Sequence, residues 1–376
     1  MVFPDPVIDQ LGPARVVQGP HPKRRQRYLD IFGADGQAAR FCHDRTLTFT
    51  SAPMASHIDD LPPQMREPAG PVTQGPVLYA GLSNDQFGFA ILQSLGRLWA
   101  CDRLPPETKL LFLSRGAPRK TVNTLNALLG WLGLRNTPIF VRGNMQLTDA
   151  YTCPNLFGET YDGHAAPSFC DWLETRLPTA PDMVAGRKLY VTRARLGPLF
   201  GRTACEDHLE DLLRRDGFEI YAPEAHSLAE QTNAYRQAET LVFAEGSAQH
   251  FFGLVKRPGQ RVAVIQRRPE IPPLLRNQTT AMNPEPVRYI NAIEALHWPP
   301  DRADNRAICQ IDFDRLRADL VAGQFLSADA AWFPPTPDAI ARSIQAGLQP
   351  GERLYPSHAE AIAQWKRLRD ARRAGS

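Results

Sequence analysis

Two short segments in the second half of the chain combine residue types that bind phosphate groups. Arg193 and Arg195 directly follow an apolar run at residues 189–192, which has the composition of a buried strand. A second apolar run, at residues 241–243, is followed by Ala-Glu-Gly-Ser-Ala-Gln-His, a small-residue turn before a predicted helix. In a parallel sheet both strands would end on the carboxyl edge, where ligands bind. Guanidinium groups and the free N–H groups of a helix N-terminus both suit a pyrophosphate, so these segments predict a nucleotide-type anion site.

The arginines and the turn each have two interpretations. Arg193 and Arg195 either clamp a diphosphate or are exposed to solvent or engaged in salt bridges. Because they are two residues apart, their side chains can converge only if the chain turns after the strand. Gly246, Ser247 and Ala248 either let a ligand approach the backbone or form an ordinary strand–helix turn, in which Ser247 caps the helix. The agreement of the two segments favours the anion site.

Three further residues beside these segments are candidates for ligand contacts. His250 falls in the first turn of the predicted helix, where it either donates to a pyrophosphate or leaving group or is a packed structural histidine. Glu245 either binds a ribose or sugar hydroxyl or is a solvated loop charge. Glu224 follows a predicted strand and either lines a base or ribose pocket or is a loop carboxylate.

The elements that must position these residues alternate between strands and helices. Two sequences, Thr203-x-x-Glu206 and Ser227-x-x-Glu230, have the pattern of capping boxes that open helices between the strands. The alternation predicts a Rossmann-like domain over residues 181–300. Its strands are predicted at residues 188–193, 218–221, 241–243 and 261–266.

The first half of the chain shows the same alternation and predicts a Rossmann-like domain at residues 73–180. Residues 1–72 are rich in proline and are interpreted as an N-terminal extension, and residues 301–376 as a helical tail. The predicted fold is therefore α/β, with two Rossmann-like domains facing across a cleft. This arrangement is found in several classes of protein, including periplasmic-binding-like and phosphorylase-like proteins. The predicted strands lie at residues 45–50, 77–80, 109–113 and 138–141, and the predicted helices at 86–101, 124–132, 168–177, 313–323, 337–347 and 358–369.

Composition and charge exclude several classes of protein. The chain has 376 residues, 43% of them apolar and 22% charged, and its net charge of +3 is too small to predict nucleic acid as a partner. Its six cysteines form no Cys-x-x-Cys pair, which disfavours a zinc site and suggests free thiols in a reducing cytoplasm. We find neither the pattern of a secretory signal nor an apolar run long enough to span a membrane. Basic clusters at residues 23–25 and 367–373 are interpreted as solvated ends rather than as membrane contacts.

The order of several motifs resembles glycosyltransferase family 61. In the first half, N-D-Q-F-G-F-A-I-L-Q-S-L-G-R-L-W at residues 84–99 is similar to the family pattern N-x-Y-G-H-F-L-L-E-S-L-x-R-L-W, except that Phe89 replaces its histidine and Gln93 its acidic residue. In the second half the motifs are L-Y-V-T-R-A-R-L (189–196), G-F-E-I-Y-A-P-E (217–224), S-L-A-E-Q (227–231), A-E-T-L-V-F-A-E-G-S-A-Q-H (238–250) and V-A-V-I-Q-R-R (262–268).

This resemblance implies an inverting transferase of the GT-B type that moves a sugar from a nucleotide donor, most often a UDP-sugar, to a glycan or lipid-linked acceptor. The bacterial members that it resembles assemble capsule, lipopolysaccharide or exopolysaccharide. We therefore expect a cytoplasmic enzyme, with a peripheral contact at the inner membrane as an alternative. The first domain would hold the acceptor and the second domain the donor.

Inversion at the sugar requires a base that takes a proton from the acceptor hydroxyl. Asp85 follows the first predicted strand of the acceptor domain and is the candidate, although it or Asn84 has an alternative role as a helix cap. Arg97, on the following helix, is either structural or a contact for an anionic acceptor. We expect no metal, because Asp312 and Asp314 are interpreted as helix-capping acids and the arginines can stabilise the leaving diphosphate.

Two other functions stay open from the sequence. Because Phe89 and Gln93 depart from the family pattern, the chain is alternatively a non-catalytic relative that binds nucleotide or glycan as an assembly subunit. A phosphorylase-like or epimerase-like enzyme is the second alternative, since it would use the same fold.

Overall fold

A computed structural model describes residues 2–20, 27–42, 55–67, 70–115, 118–179, 181–197, 200–300, 306–346, 348 and 352–374. The molecule has a mixed α/β fold and divides into two compact units. The first unit comprises Met1–Thr179 with Pro273–Met282, and the second comprises Ala180–Pro272 with Asn283–Ser376. In chain order the described strands are β1 Asp9–Pro20, β2 Arg27–Phe32, β3 Val72–Asn84, β4 Lys109–Arg115, β5 Pro138–Phe140, β6 Met145–Thr152, β7 Val184–Val191, β8 Arg202–Thr203, β9 Phe218–Tyr221, β10 Ala238–Ala244, β11 Arg261–Ile265, β12 Arg288–Ile290, β13 Ile293–His297 and β14 Ile308–Ile311.

Several helices match the predicted positions, but α3 begins at Pro118 rather than at residue 124, and α1 and α8 were not predicted. The predicted tail helices at residues 313–323, 337–347 and 358–369 are confirmed. No helix in the described part of the chain is both long and apolar enough to cross a membrane. The helices are α1 Pro63–Arg66, α2 Phe87–Ser94, α3 Pro118–Trp131, α4 Pro167–Arg176, α5 Glu206–Arg215, α6 Leu228–Gln237, α7 Ala248–Val255, α8 Pro273–Thr279, α9 Phe313–Ala322, α10 Pro337–Gln345 and α11 His358–Ala374.

The first unit contains a six-stranded sheet in the order β2-β1-β6-β3-β4-β5. Strands β3, β4 and β5 run parallel, as their alternation with helices predicts, and β6, which was not predicted, pairs parallel with β3. The added strands β1 and β2 come from the predicted N-terminal extension and pair antiparallel at the β6 edge. The strand predicted at residues 45–50 lies outside the described residues.

The long helix predicted at residues 86–101 is interrupted. Helix α2 ends at Ser94, and a separate 3-10 helix spans Leu98–Arg103. Gly96 lies between them, where a Cβ atom would stand 1.7 Å from Oδ1 of Asn155 and 2.8 Å from the carbonyl oxygen of Phe157. The helix therefore stops where another loop packs directly on its backbone, a tertiary contact that periodicity does not reveal.

The second unit contains a five-stranded, fully parallel sheet in the order β12-β11-β10-β7-β9. Strands β10 and β11 are buried along almost their whole length, as expected for strands covered on both faces, and β7 is buried over its last three residues. The buried side chains of Leu209 and Leu212 on α5 belong to the same apolar core as Val242 of β10. A small sheet of β13, β14 and β8 extends this unit.

Two of the predicted helix caps are correct, and the capping box predicted at Thr203 is wrong. Ser227 and Glu230 form the expected capping box of α6, and Asp312 caps α9 by accepting the N–H of Arg315. The box predicted from Thr203 to Glu206 is wrong, because Thr203 lies in β8 and the N-cap of α5 is Cys205 with φ 54°. Glu206 is consequently the first helical residue, and its carboxylate is available for other partners.

Gly158 should tolerate substitution far less well than Gly130. Gly158 has φ 98°, and a Cβ atom there would lie 2.0 Å from the carbonyl oxygen of Leu92, whereas Gly130 is an exposed residue of α3 with open space around it. We expect Gly158→Ala to lower the free energy of unfolding by about 2–4 kcal/mol through strain and overlap. Gly130→Ala should raise it by about 0.5–1 kcal/mol through improved helix propensity. Urea unfolding of both variants measures the contrast, and equal stabilities would contradict the close packing at Gly158.

Candidate functional site

The second sheet places the two predicted phosphate-binding segments at its point of reversal. From β7 the chain continues to β9 on one side of the strand, and then returns to β10 on the other side. In parallel sheets such a reversal opens a crevice at the carboxyl ends of the two strands, and ligands bind there. Arg193 follows the end of β7, and Gly246 follows the end of β10. The topology therefore brings both segments to one crevice.

The side chain of Arg193 lies directly against the backbone of Gly246. A Cβ atom on Gly246 would stand 2.1 Å from Nη1 of Arg193, so a side chain at this position would displace the guanidinium. Nη2 of Arg193 donates to the carbonyl oxygen of Gly201 at 3.1 Å, while its buried Nε has no hydrogen-bond partner among the described residues. Burial lowers the pKa of Arg193, and the negative charges of Glu206 and Glu245 oppose that shift. The result is a partly desolvated guanidinium held at the crevice.

Helix α7 begins at this crevice and offers backbone N–H groups to it. The amides of Gln249 and His250 donate to the carbonyls of Gly246 and Ser247. The N–H groups of Gly246, Ser247 and Ala248 have no acceptor within the described ranges. Ser247 occupies the N-cap position, but its side chain makes no capping hydrogen bond, so the predicted capping role is wrong. Three donors and a serine hydroxyl therefore remain at the positive end of the helix dipole.

Glu245 is a buried anchor rather than a loop charge exposed to solvent. Its exposed fraction is 1%, and its Oε2 accepts the backbone N–H groups of Arg267 at 3.0 Å and Arg268 at 3.2 Å. Its Oε1 accepts Nε of Arg268 at 2.5 Å and also contacts Nη2. The solvated interpretation is therefore wrong. Direct contact with a ribose stays a prediction, which this geometry disfavours because both oxygens are occupied.

A second buried carboxylate fixes the start of the Arg193 loop. Oε1 of Glu206 accepts the backbone N–H of Arg193 at 2.7 Å, the hydroxyl of Thr192 at 3.0 Å and the hydroxyl of Tyr190 at 3.2 Å. Glu206 thus stabilises the turn after β7 through its acceptor capacity. The same carboxylate attracts the guanidinium of Arg193 and partly offsets its burial.

The hydroxyl of Thr192 lies between Glu206 and a third buried carboxylate, Glu210. Its Oγ1 is 2.6 Å from Oε1 of Glu210, and it also accepts the N–H of Ala194 at 3.0 Å. A hydroxyl has one proton and can donate to only one carboxylate, so the other contact is a hydrogen bond only when that carboxyl is protonated. Burial raises the pKa of Glu206 above its usual 4.5.

The remaining candidate residues differ in accessibility. Arg195 is exposed and forms no hydrogen bond or ion pair with the described residues. Glu224 is exposed in the 3-10 turn after β9, and its charge reaches Arg193. His250 lies in the first turn of α7, as predicted, but it is buried with an exposed fraction of 7%. Arg195 and Glu224 are therefore accessible to a ligand, while a ligand role for His250 stays a prediction.

Sequence reasoning missed several residues that support the site. Arg267 is buried, and its Nε donates to the carbonyl oxygen of Glu245 at 3.1 Å. Burial and the neighbouring charge of Arg193 lower its pKa to about 10. The pair Arg267-Arg268 was visible as the end of the motif at residues 262–268, but a strand end alone does not show that both arginines turn back toward Glu245.

Asp85 lies at the corresponding reversal point of the first sheet. Strand β3 pairs with β4 on one side and with β6 on the other, and Asp85 follows its carboxyl end. The N-cap position of α2 is Gln86, whose side chain makes no capping hydrogen bond. Asn84 accepts the N–H of Gln86 at 3.0 Å, directly before the helix. Both roles considered for Asp85, helix cap and base, stay predictions.

The two departures from the family pattern lie on α2. Phe89 is half-buried, and Gln93 is buried with its Nε2 2.5 Å from Oε2 of the buried Glu159. On the segment after the helix, Arg97 is buried and donates to the carbonyl of Cys153 at 2.9 Å and to that of Phe41 at 2.9 Å. Arg97 therefore has the structural role, and a ligand contact would be additional to it.

The side chains that most often bind metal ions or act as nucleophiles were compared for clustering and burial. Within the described ranges no three histidine, cysteine or acidic side chains converge as a metal site. Independence from metal stays a prediction. All six cysteines are free, and burial raises the pKa of Cys101 to about 12, which keeps that thiol protonated and poorly nucleophilic.

The buried carboxyl of Glu206 should give a distinctive pH dependence. Because its pKa is raised in the folded protein, its contribution to stability is greatest below its usual pKa of 4.5 and is lost as the pH rises through the folded value. Glu206→Gln has no titrating group at this position. The free energy of unfolding of the wild type, minus that of the variant, should therefore decrease as the pH rises from 4.5 to 7.5. Urea unfolding across this range measures the difference. A difference that stays constant or grows with pH would contradict a raised pKa.

The comparison with known families identifies the family of the chain. The sequence model of the family described as Glycosyltransferase 61 matches residues 37–258, which is more than half of the chain. No curated protein matches the chain. The matched range includes Asp85, Glu206, the Arg193 loop and the Gly246 turn. The chain belongs to glycosyltransferase family 61.

Proposed function

We propose that the second unit binds the diphosphate of a nucleotide-sugar donor, a UDP-sugar, at the ends of β7 and β10. The observation that carries this proposal is the contact of Arg193 with Gly246, beside three N–H groups at the start of α7 that have no acceptor among the described residues. A guanidinium and a helix N-terminus aimed at one crevice are the donors that a pyrophosphate requires. The family supports transfer of a sugar as the reaction.

The charges around the crevice support binding of an anion. Arg193, Arg267 and Arg268 lie close enough to influence one another's charge, and Glu245 offsets part of it by pairing with Arg268. Exposed Arg195 adds a further positive charge beside them. Preorganised donors of this kind stabilise a leaving diphosphate without requiring a metal ion.

The acceptor is proposed to be a glycan or a lipid-linked glycan in cell-surface polysaccharide synthesis, bound by the first unit. Asp85 is proposed as the base that accepts the proton of its attacking hydroxyl, with inversion at the sugar carbon. Its place after β3, at the reversal point of the first sheet, supports this assignment. The proposal describes both units as Rossmann-like domains of a GT-B transferase.

Arg193→Ala should weaken nucleotide binding strongly. Loss of a charge-assisted hydrogen bond to a phosphate costs about 1.5–3 kcal/mol, which corresponds to a Kd about 10- to 150-fold higher. Calorimetric titration with UDP, GDP and CMP tests the prediction and identifies the preferred base. Arg315→Ala removes an exposed arginine on α9 of the same unit and is the matched control. Binding that is equal in wild type and Arg193→Ala, or absent for all three nucleotides, would overturn the donor site.

Asp85→Asn should abolish transfer without weakening UDP binding. An amide cannot take the acceptor proton, so turnover should fall by about 10²- to 10⁴-fold. Asp171→Asn, an exposed substitution on α4 of the same unit, should retain activity. Release of UDP from a panel of UDP-sugars with a crude glycan acceptor provides the assay. Full activity of Asp85→Asn would exclude it as the base, and absence of turnover in wild type would favour the non-catalytic alternative.

A further inference from the structure

Glu224 lies on a turn beside the phosphate-binding segments of the second unit. It follows β9 in the 3-10 turn Pro223–Ala225, is exposed and makes no hydrogen bond or ion pair with a described residue. Burial lowers the pKa of Arg193, and the charge of Glu224 is among those that oppose this shift, so the carboxylate lies near the guanidinium. A carboxylate beside a site for a diphosphate repels that ligand unless it binds another part of it.

The sheet places this turn directly beside the Arg193 loop. Strand β9 is the outer neighbour of β7, and Val191 stands opposite Tyr221 in the register. The N–H of Thr192, the residue before Arg193, donates to the carbonyl oxygen of Tyr221 at 3.0 Å. Neighbouring strands lie about 4.8 Å apart. A diphosphate bound at the end of β7 therefore carries its ribose within reach of the turn after β9.

The turn that carries Glu224 is held in place by a buried side chain. Gln231, on α6, donates through its Nε2 to the carbonyl oxygens of Pro223 at 2.9 Å and of His226 at 3.0 Å. The N–H of His226 also donates to the carbonyl oxygen of Pro223, at 3.1 Å. Glu224 stands between these fixed residues, so its backbone is preorganised and only its side chain has to orient toward a ligand.

The residue that ends this turn presents a flat aromatic surface. The exposed imidazole of His226 stacks on the ring of Tyr221, with their centroids 4.5 Å apart and their planes at 11°. Tyr221 packs in turn against the buried ring of Tyr235 at 5.7 Å. One face of the imidazole is thus supported from behind. Nucleotide bases stack on aromatic side chains with little regard to their sequence.

We propose that the ribonucleoside of the donor lies over the turn after β9, with its ribose hydroxyls donating to Glu224 and its base stacked on His226. An ionised carboxylate only accepts hydrogen bonds and has two oxygens, so it suits the two neighbouring hydroxyls of a ribose. In parallel sheets that bind dinucleotides, an acidic residue likewise accepts a ribose hydroxyl while the phosphates lie at a helix N-terminus. The inference rests on the proposed function and names the donor class as ribonucleoside diphosphate sugars, to the exclusion of 2′-deoxyribonucleoside ones.

Glu224→Gln separates this role from that of a surface charge. The variant should bind UDP about tenfold more weakly, because hydrogen bonds to a charged group are lost. It should bind inorganic pyrophosphate as well as or better than the wild type does, because a repulsive charge is removed. The wild type should bind 2′-deoxyuridine diphosphate more weakly than UDP, and the variant should lose this preference. Calorimetric titration measures all three ligands, with Asp329→Asn, which changes an exposed residue in the loop after α9, as the control that retains wild-type affinities.

His226→Ala should weaken UDP binding about fivefold or more through loss of stacking, and should leave pyrophosphate binding unchanged. UDP affinity that is unchanged or higher in Glu224→Gln or in His226→Ala would overturn the nucleoside site and leave the phosphate site standing. Equal binding of UDP and its 2′-deoxy analogue by the wild type would do the same. A wild type that binds neither UDP nor pyrophosphate would overturn the donor site, and this proposal with it.

Discussion

The close approach of the Arg193 guanidinium to the backbone of Gly246 is the interaction on which the proposed donor site depends. It joins the ends of β7 and β10, which are far apart in sequence, and a side chain at residue 246 would displace the guanidinium. Burying a guanidinium is costly unless nearby charge and hydrogen bonds compensate. Glu206 and Glu245 supply that charge, and Gly201 supplies a carbonyl acceptor.

This compensation also explains why so many acidic residues surround a site for an anion. Glu245 has its oxygens occupied by Arg268 and two backbone N–H groups, and Glu206 accepts the N–H of Arg193. Their role is to hold the loops after β7 and β11 in place through these hydrogen bonds.

The strands and most helices could be predicted from the sequence because apolar runs and periodicity are local signals. The carboxyl edge could also be predicted, because parallel strands place Arg193 and Gly246 there whatever the details of the loops. The role of Glu206 could not be predicted. Thr203 three residues earlier mimics a capping box, and only the pairing of β8 with β14 shows that Thr203 belongs to a strand. The break of the predicted helix at Gly96 could not be predicted either, since it arises from a loop nearly sixty residues later that packs on the backbone. The same holds for the partners of Glu245, because a charged residue in a glycine turn resembles a surface residue in the sequence.

The departure of Gln93 from the family pattern has a physical reason within this chain. Its amide donates to Glu159 at 2.5 Å, and both side chains are more than nine-tenths buried. An acidic residue at position 93 would place two carboxylates in contact away from water, where one of them must take up a proton or the pair must separate. The amide removes this repulsion and supplies a donor to Glu159 instead. Position 93 and position 159 are therefore coupled, and the buried carboxylate of this region belongs to the turn after Gly158 rather than to α2.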